Sequence, residues 1–197
     1  MQSSLLHQKA LSDHQSKAVR AIDAYWHHLA ARGGIPRRAD VDPAVIQDAL
    51  EYAFIAEHLS GGHARMRVAG GAISAVMGMD VAGMPLAALI APVDRSGFAQ
   101  HVANTLDSAS LLTLSLSAPE AFGQPHLNAK MRLYPLRDET GRIRQILGSF
   151  VSTGLIGQTP RRFKFSNASE TPMSRDHALT SQTLATRGHL RLVVSNA

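Results

Sequence analysis

The chain has 197 residues, 45% of them hydrophobic and 18% charged, with a net charge of +5 and a pI near 10.1; this suits one packed domain with extensions and excludes wholesale disorder. Zero cysteines exclude disulfides, thiolate nucleophiles, cysteinyl flavin adducts and Cys-ligated zinc or iron–sulfur clusters. An aromatic content of 5% leaves few rings for a base-stacking platform, and the basic residues are scattered along the chain.

Met1 to Lys9 lacks the apolar run of a secretory signal, and no later stretch approaches the ~20 apolar residues of a membrane span. Residues 1–10 are therefore read as a flexible terminus, and the cytoplasm is the expected location. From Leu11 to Arg32, Ala18, Val19, Ile22, Tyr25, Trp26 and Leu29 recur at helical spacing, and Gly33-Gly34 closes a helix over 11–33. Its apolar stripe either packs on the protein's own sheet, the favoured reading, or places Val19, Ile22 and Trp26 against a second copy in a homodimer.

The next segment is strongly punctuated. Pro36 and Pro43 fix backbone angles and bias the residue before each toward extended geometry. Asp40 can accept bonds from nearby N–H groups, and Asp42-Pro43 reads as an N-cap followed by a first-turn proline. A short helix follows from Pro43 to Leu50. Two strands, Tyr52 to Leu59 and His63 to Val68, form a hairpin about Ser60-Gly61-Gly62. After Gly70-Gly71, a helical turn holds Ile73, Val76 and Met77 and ends at Gly78; Gly83-Met84-Pro85 opens another through Leu86, Leu89 and Ile90. The longest core helix is expected from Ala91 to Asp107, followed by strands over Leu112 to Ser117, Leu127 to Leu133 and Ile143 to Ser152. Residues 158–197 turn to Ser, Thr, Asn, Arg and His, which predicts a mobile tail with a terminal strand at Leu190 to Val194.

That order of two strands, short helices, a longer helix and three strands is the order of the PAS fold. Particular residues accompany it: Tyr25-Trp26, Pro36-Arg37-Arg38-Ala39-Asp40-Val41-Asp42-Pro43, Arg67-Val68-Ala69-Gly70, Gly78, Gly83, Leu133-Tyr134-Pro135-Leu136 and Leu147-Gly148. The series resembles the bacterial PAS-like proteins once grouped as a domain of unknown function, over residues 12 to 156. Val68 stands where that pattern usually has leucine, and Gly71 where it often has threonine. The resemblance implies an α+β fold: a five-stranded antiparallel sheet with short helices over 34–157, plus the added amphipathic helix. It also implies a sensory or regulatory role without naming a ligand. Its structural positions are Trp26, Pro36, Arg38, Asp40, Asp42, Pro43, Arg67, Gly70, Gly78 and Gly83. The proline segment is expected to brace the first helix to the core, with Arg67 pairing to Asp40 or Asp42.

Strand parity and helix faces direct Met66, Val68, Ile73, Val76, Leu86, Phe98, Val102, Leu114, Leu116, Met131 and Leu133 toward the centre. They either fill the core or line a pocket for a small apolar molecule. His101, between Phe98 and Val102, is the candidate axial ligand for haem, weighed against a partly exposed helical histidine. His27-His28 point to different helical faces, and His58 with His63 across the hairpin supply only two ligands, so no metal and no cofactor is expected. There is no nucleophile elbow, phosphate loop or dinucleotide fingerprint, and no catalytic residue is assigned. The expected function is a non-enzymatic, cytoplasmic signal-transduction protein that works by contact with a signalling partner, as a homodimer. The alternatives are a small-molecule sensor using the core pocket, and a nucleic-acid-associated regulator using Arg161-Arg162-Phe163-Lys164.

Overall fold

Helical spacing and two-residue alternation account for most of the architecture. The computed structural model describes residues 2–173, with side chains from residue 12 onward. In chain order it contains α1 (Gln2–Ala30), a 3-10 segment (Pro43–Tyr52), β1 (Ala53–Ser60), β2 (His63–Ala69), α2 (Gly71–Met77), 3-10 turns at Leu86–Leu89 and Pro92–Asp94, α3 (Arg95–Asp107), β3 (Ser110–Ala118), β4 (Leu127–Arg137), β5 (Ile143–Thr153) and β6 (Lys164–Pro172). The strands make one antiparallel sheet in the order β2-β1-β5-β4-β3-β6. Among the described residues no helix is long and apolar enough to cross a membrane.

Alternation gives the sheet two apolar faces. The inner face carries Phe54, Met66, Leu114, Met131 and Phe150, and it is covered by Ile73 and Val76 of α2 and Phe98 and Val102 of α3. The outer face carries Ala53, Tyr134, Leu136 and Leu147, and α1 covers it with Ala18, Ile22, Tyr25, Trp26 and Leu29. Phe54 of β1 lies directly across from Gly148 of β5. A Cβ at Gly148 would overlap the Phe54 ring, so only glycine leaves room for the aromatic side chain there.

Several expectations are corrected here. The first helix starts at Gln2, so residues 2–10 are helical where a flexible terminus was expected. Ile22 and Trp26 are fully buried against the protein's own sheet and offer no dimer face; Val19 is half-buried. The sheet has six strands, not five, because β6 forms within the segment expected to be a mobile tail. Most of β6 is small and polar, so it carries no apolar alternation; backbone pairing to β3 holds it. Phe163 anchors its start, buried edge-on against Phe150 with ring centroids 5.7 Å apart. Just before it, the Arg161 side chain is 1% exposed and donates to the carbonyls of Pro125 (2.7 Å) and Ile156. Arg161 and Phe163 are therefore structural, and the basic cluster expected on a solvated tail does not exist as a patch. The strand expected at Leu190 to Val194 lies outside the described residues.

Two substitutions test the two faces. Trp26→Phe keeps a ring in place but leaves a buried carbonyl of β4 without its donor, and it should cost about 1–2 kcal/mol. Gly148→Ala should cost about 1–3 kcal/mol by overpacking the inner face. Urea unfolding checks both as a lowered midpoint at constant slope; unchanged midpoints would contradict this account.

Candidate functional site

All the residues expected around the centre except Val68 are buried in one cluster, together with the rings of Phe54, Phe150 and Phe163. Of these buried residues Phe54 alone reaches one of the three surface clefts described below, the third. Val68 is 60% exposed, on the outer side of the sheet. The cause is a β-bulge: Ile55 pairs with Val68 and Ala56 with Met66, so Arg67 is an extra residue and the parity beyond it is reversed. His101 also faces elsewhere. Its Nδ1 lies 2.9 Å from Glu170 Oε1, and its ring stands edge-on to Phe165 at 5.8 Å. It is held against β6 with its side chain partly exposed, which fits the helical histidine rather than the axial haem ligand.

The proline segment does brace α1 to the sheet, but through different partners. The Tyr25 hydroxyl donates to Asp40 O (3.2 Å) and accepts from the Asp42 N–H (2.7 Å). Trp26 Nε1 donates to Pro135 O (3.0 Å), and the Arg137 N–H donates to Pro36 O (2.8 Å). The Asp40 carboxylate accepts the Arg37 N–H (2.8 Å), and that of Asp42 accepts the Ala44 N–H (2.9 Å). Neither aspartate pairs with Arg67. Arg67 Nε donates instead to Glu57 Oε2 (2.7 Å), a carboxylate on the neighbouring strand that also lies 3.9 Å from Arg65. Gly70 permits the close approach that follows: a Cβ there would collide with the carbonyls of Leu50 and Glu51. Gly78 caps α2 at φ +71, where side chains are strained. Gly83 donates its N–H to Met66 O (2.8 Å) and so covers part of the β2 edge.

One tie had no legible signal. Asp23 on α1 accepts from Arg132 Nη1 (2.8 Å) and from the Tyr134 hydroxyl (3.1 Å), linking α1 to β4. Burial, then the Asp23 charge, pushes the Tyr134 pKa well above the ordinary phenol value. An aspartate on the polar side of an amphipathic helix reads as solvated. Only the strand passing beneath makes it a partner.

The histidines are placed individually. His58 Nε2 accepts the Gly62 N–H (3.2 Å), and burial, followed by the Arg144 charge, pushes its pKa below the ordinary value. Among the described residues, no three His, Asp or Glu side chains gather closely enough to hold a metal ion.

Three clefts lie near these elements. One, about 620 Å³, lies between the β1–β2 turn and α3, lined by His63, Pro85, Arg95 and Gln100 among others. A second, about 480 Å³, sits beyond the end of α1 and is lined by Arg32, Arg37, Arg137 and Asp40, with Leu29 and Ile35. A third, about 330 Å³, is an apolar groove between the Pro43–Tyr52 segment and the β1–β2 pair. Val41, Ile46, Leu50, Ile55 and Val68 line it, and Arg38 is its only charged residue.

Tyr25→Phe should cost about 1–3 kcal/mol, since the Asp42 N–H loses its acceptor, whereas Arg67→Ala, at a partly exposed ion pair, should change stability by less than ~1 kcal/mol. Thermal melts of the two variants check the ranking. His58 adds a pH dependence. Its folded pKa lies below its unfolded value near 6.5, so its neutral form is favoured by folding, and stability falls as pH drops from about 6.5 through the folded pKa. His58→Gln keeps an acceptor for Gly62 and should flatten the melting temperature between about pH 7 and pH 5; an unchanged slope would contradict the assignment.

The family model described as PAS domain matches residues 14–151. No curated protein sequence matches the chain. Among solved structures, the chain is similar to an RNA-binding light-oxygen-voltage receptor, with 18% identity and a TM-score of 0.42 over 60% of this chain and 36% of that one. It is also similar to the light-state structure of the blue-light photoreceptor Aureochrome1 LOV, with 16% identity and a TM-score of 0.37 over 71% of this chain and 93% of that one. The chain spans little more than a third of the length of the RNA-binding receptor. The matched residues run from His14, where α1 meets Tyr52, to Val151 in β5, so β6 lies beyond the matched span. With its α+β antiparallel sheet and its packed first helix, the chain belongs to the PAS domain family.

Proposed function

We propose that this PAS domain is a non-enzymatic regulatory module, acting in the cytoplasm, whose output is a contact with a signalling protein at the groove beside β1 and β2. The observation that carries this reading is the contrast between the two sides of the sheet. The inner face, where a small molecule would enter a sensor, is filled by Met66, Phe98, Met131, Phe150 and their neighbours. The groove leaves apolar surface open: Val68 is 60% and Leu50 40% exposed there. Its occupant would be an apolar anchor of another protein with a carboxylate beside it, because Arg38 lines the groove and has no ion-pair partner among the described residues. Such a contact would touch both the β1–β2 pair and the segment that follows the α1 brace. Binding that favours one arrangement of these elements is what a regulatory response requires.

Native mass spectrometry and an absorbance scan of freshly purified protein should give the apo mass with no visible band; a retained small molecule would favour a core-pocket sensor instead. Val68→Asp should move the melting temperature by no more than ~4 °C. In the source cell it should nonetheless reproduce the loss of regulation caused by deleting the gene. Normal regulation with this variant at wild-type abundance would overturn the groove as the contact surface, and a dimer that Val68→Asp dissociates would assign the groove to a second copy.

A further inference from the structure

We propose that the cleft beyond the end of α1 is a binding site for a phosphorylated small molecule, held by Arg32, Arg37 and Arg137. Three separate segments bring these side chains together: the turn after α1, the proline segment and the end of β4. Two of the three are fixed to each other by backbone. Arg37 and Arg137 face one another in an isolated parallel bridge, with the Arg137 N–H on Pro36 O at 2.8 Å. None of the three has an ion-pair partner among the described residues.

Their described hydrogen bonds leave donors to spare. Arg137 Nη1 donates to Gly141 O (2.7 Å), and Arg32 Nη2 lies 3.1 Å from His28 Nε2. Each guanidinium carries several further N–H groups. One carboxylate, that of Asp40, also lines the cleft; it accepts the Arg37 backbone N–H at 2.8 Å, and it cannot neutralise three cations. Like charges gathered in a cleft repel one another and attract a multivalent anion.

Chemistry and size narrow the class of anion. Planar guanidinium forks match phosphate oxygens bidentately, and three of them suit a group with at least two negative charges. The cleft encloses about 480 Å³ and has Leu29 and Ile35 in its wall, so it has room for a compact body as well as the charged group. A ligand seated there would touch α1, the proline segment and β4 at once, and would reinforce the joint that Tyr25 and Trp26 make. The proposal does not depend on the partner groove, which lies on other residues.

The test uses the full chain, with inorganic pyrophosphate and adenosine diphosphate as probes, in thermal melts and isothermal titration at low salt. At about a hundred times Kd, the melting temperature should rise by roughly 5–10 °C. Affinity should fall as salt is raised. Arg32→Glu and Arg37→Glu should each weaken binding by about tenfold or more with unliganded melting unchanged, whereas Arg162→Ala with Lys164→Ala should leave it intact. If Arg37→Glu lowers the unliganded melting temperature, the exposed Arg32→Glu carries the comparison. No heat and no shift at millimolar probe would overturn the proposal, as would binding that survives both charge reversals. Binding of single-stranded RNA or a phosphoserine peptide in the absence of any response to either probe would also overturn it.

Discussion

The placement of Trp26 on β4 is the contact on which the outer half of the fold depends. The indole is fully buried, its ring lies 5.8 Å from that of Tyr134, and its N–H meets the carbonyl of Pro135. A ring of this size removes roughly 150–250 Å² from water, worth about 4–6 kcal/mol at ~25 cal/mol per Å². Proline in β4 is compatible with this because a carbonyl, not an N–H, is needed at that point. Tyr25, one residue earlier, serves the proline segment from the same turn of helix. A single helical turn thus fixes both the sheet and the connection leading to β1.

With α1 occupied in this way, the sheet is apolar on both faces, and its two sides differ in what remains open. The inner side is closed by close-packed rings and aliphatic chains. On the outer side α1 covers the region around Tyr134 and Leu147, and the bulge at Arg67 turns Val68 outward beyond its reach. The polar cleft and the apolar groove both border the proline segment, the first at Arg37 and the second at Arg38. Adjacent residues of one short connection therefore contribute to two surfaces of different chemistry. That proximity offers a physical route by which occupancy of one could alter the other.

Much of the fold was legible because its signals are local. The stripe from Ala18 to Leu29 has helical spacing, the alternation in β3 and β4 is regular, and Asp42-Pro43 carries its own start signal. What escaped depends on partners distant in the chain. β6 lacks an apolar pattern because β3 supplies its order, and Arg161 looked like tail charge until the carbonyls of Pro125 and Ile156 enclosed it. The candidate site was less legible than the fold. Arg38 was named as a structural position, but its role as the sole charge in an apolar groove needed Val68, whose direction a one-residue bulge reversed.

Taken alone, the sequence determined the family, the α+β order, the amphipathic first helix and the absence of cysteine chemistry. The family rests on the resemblance carried by motif residues such as Trp26, Pro36 to Pro43 and Arg67 to Gly70; the rest follows from composition and from periods of two and 3.6 residues, which short stretches of chain carry by themselves. Tertiary structure alone decided that Trp26 is a core residue and no dimer contact, that Arg67 belongs to Glu57, that His101 faces β6, and that three arginines share a cleft. Each of these is a choice among partners remote in sequence, and only the register of the strands and the seat of α1 bring one of them within reach.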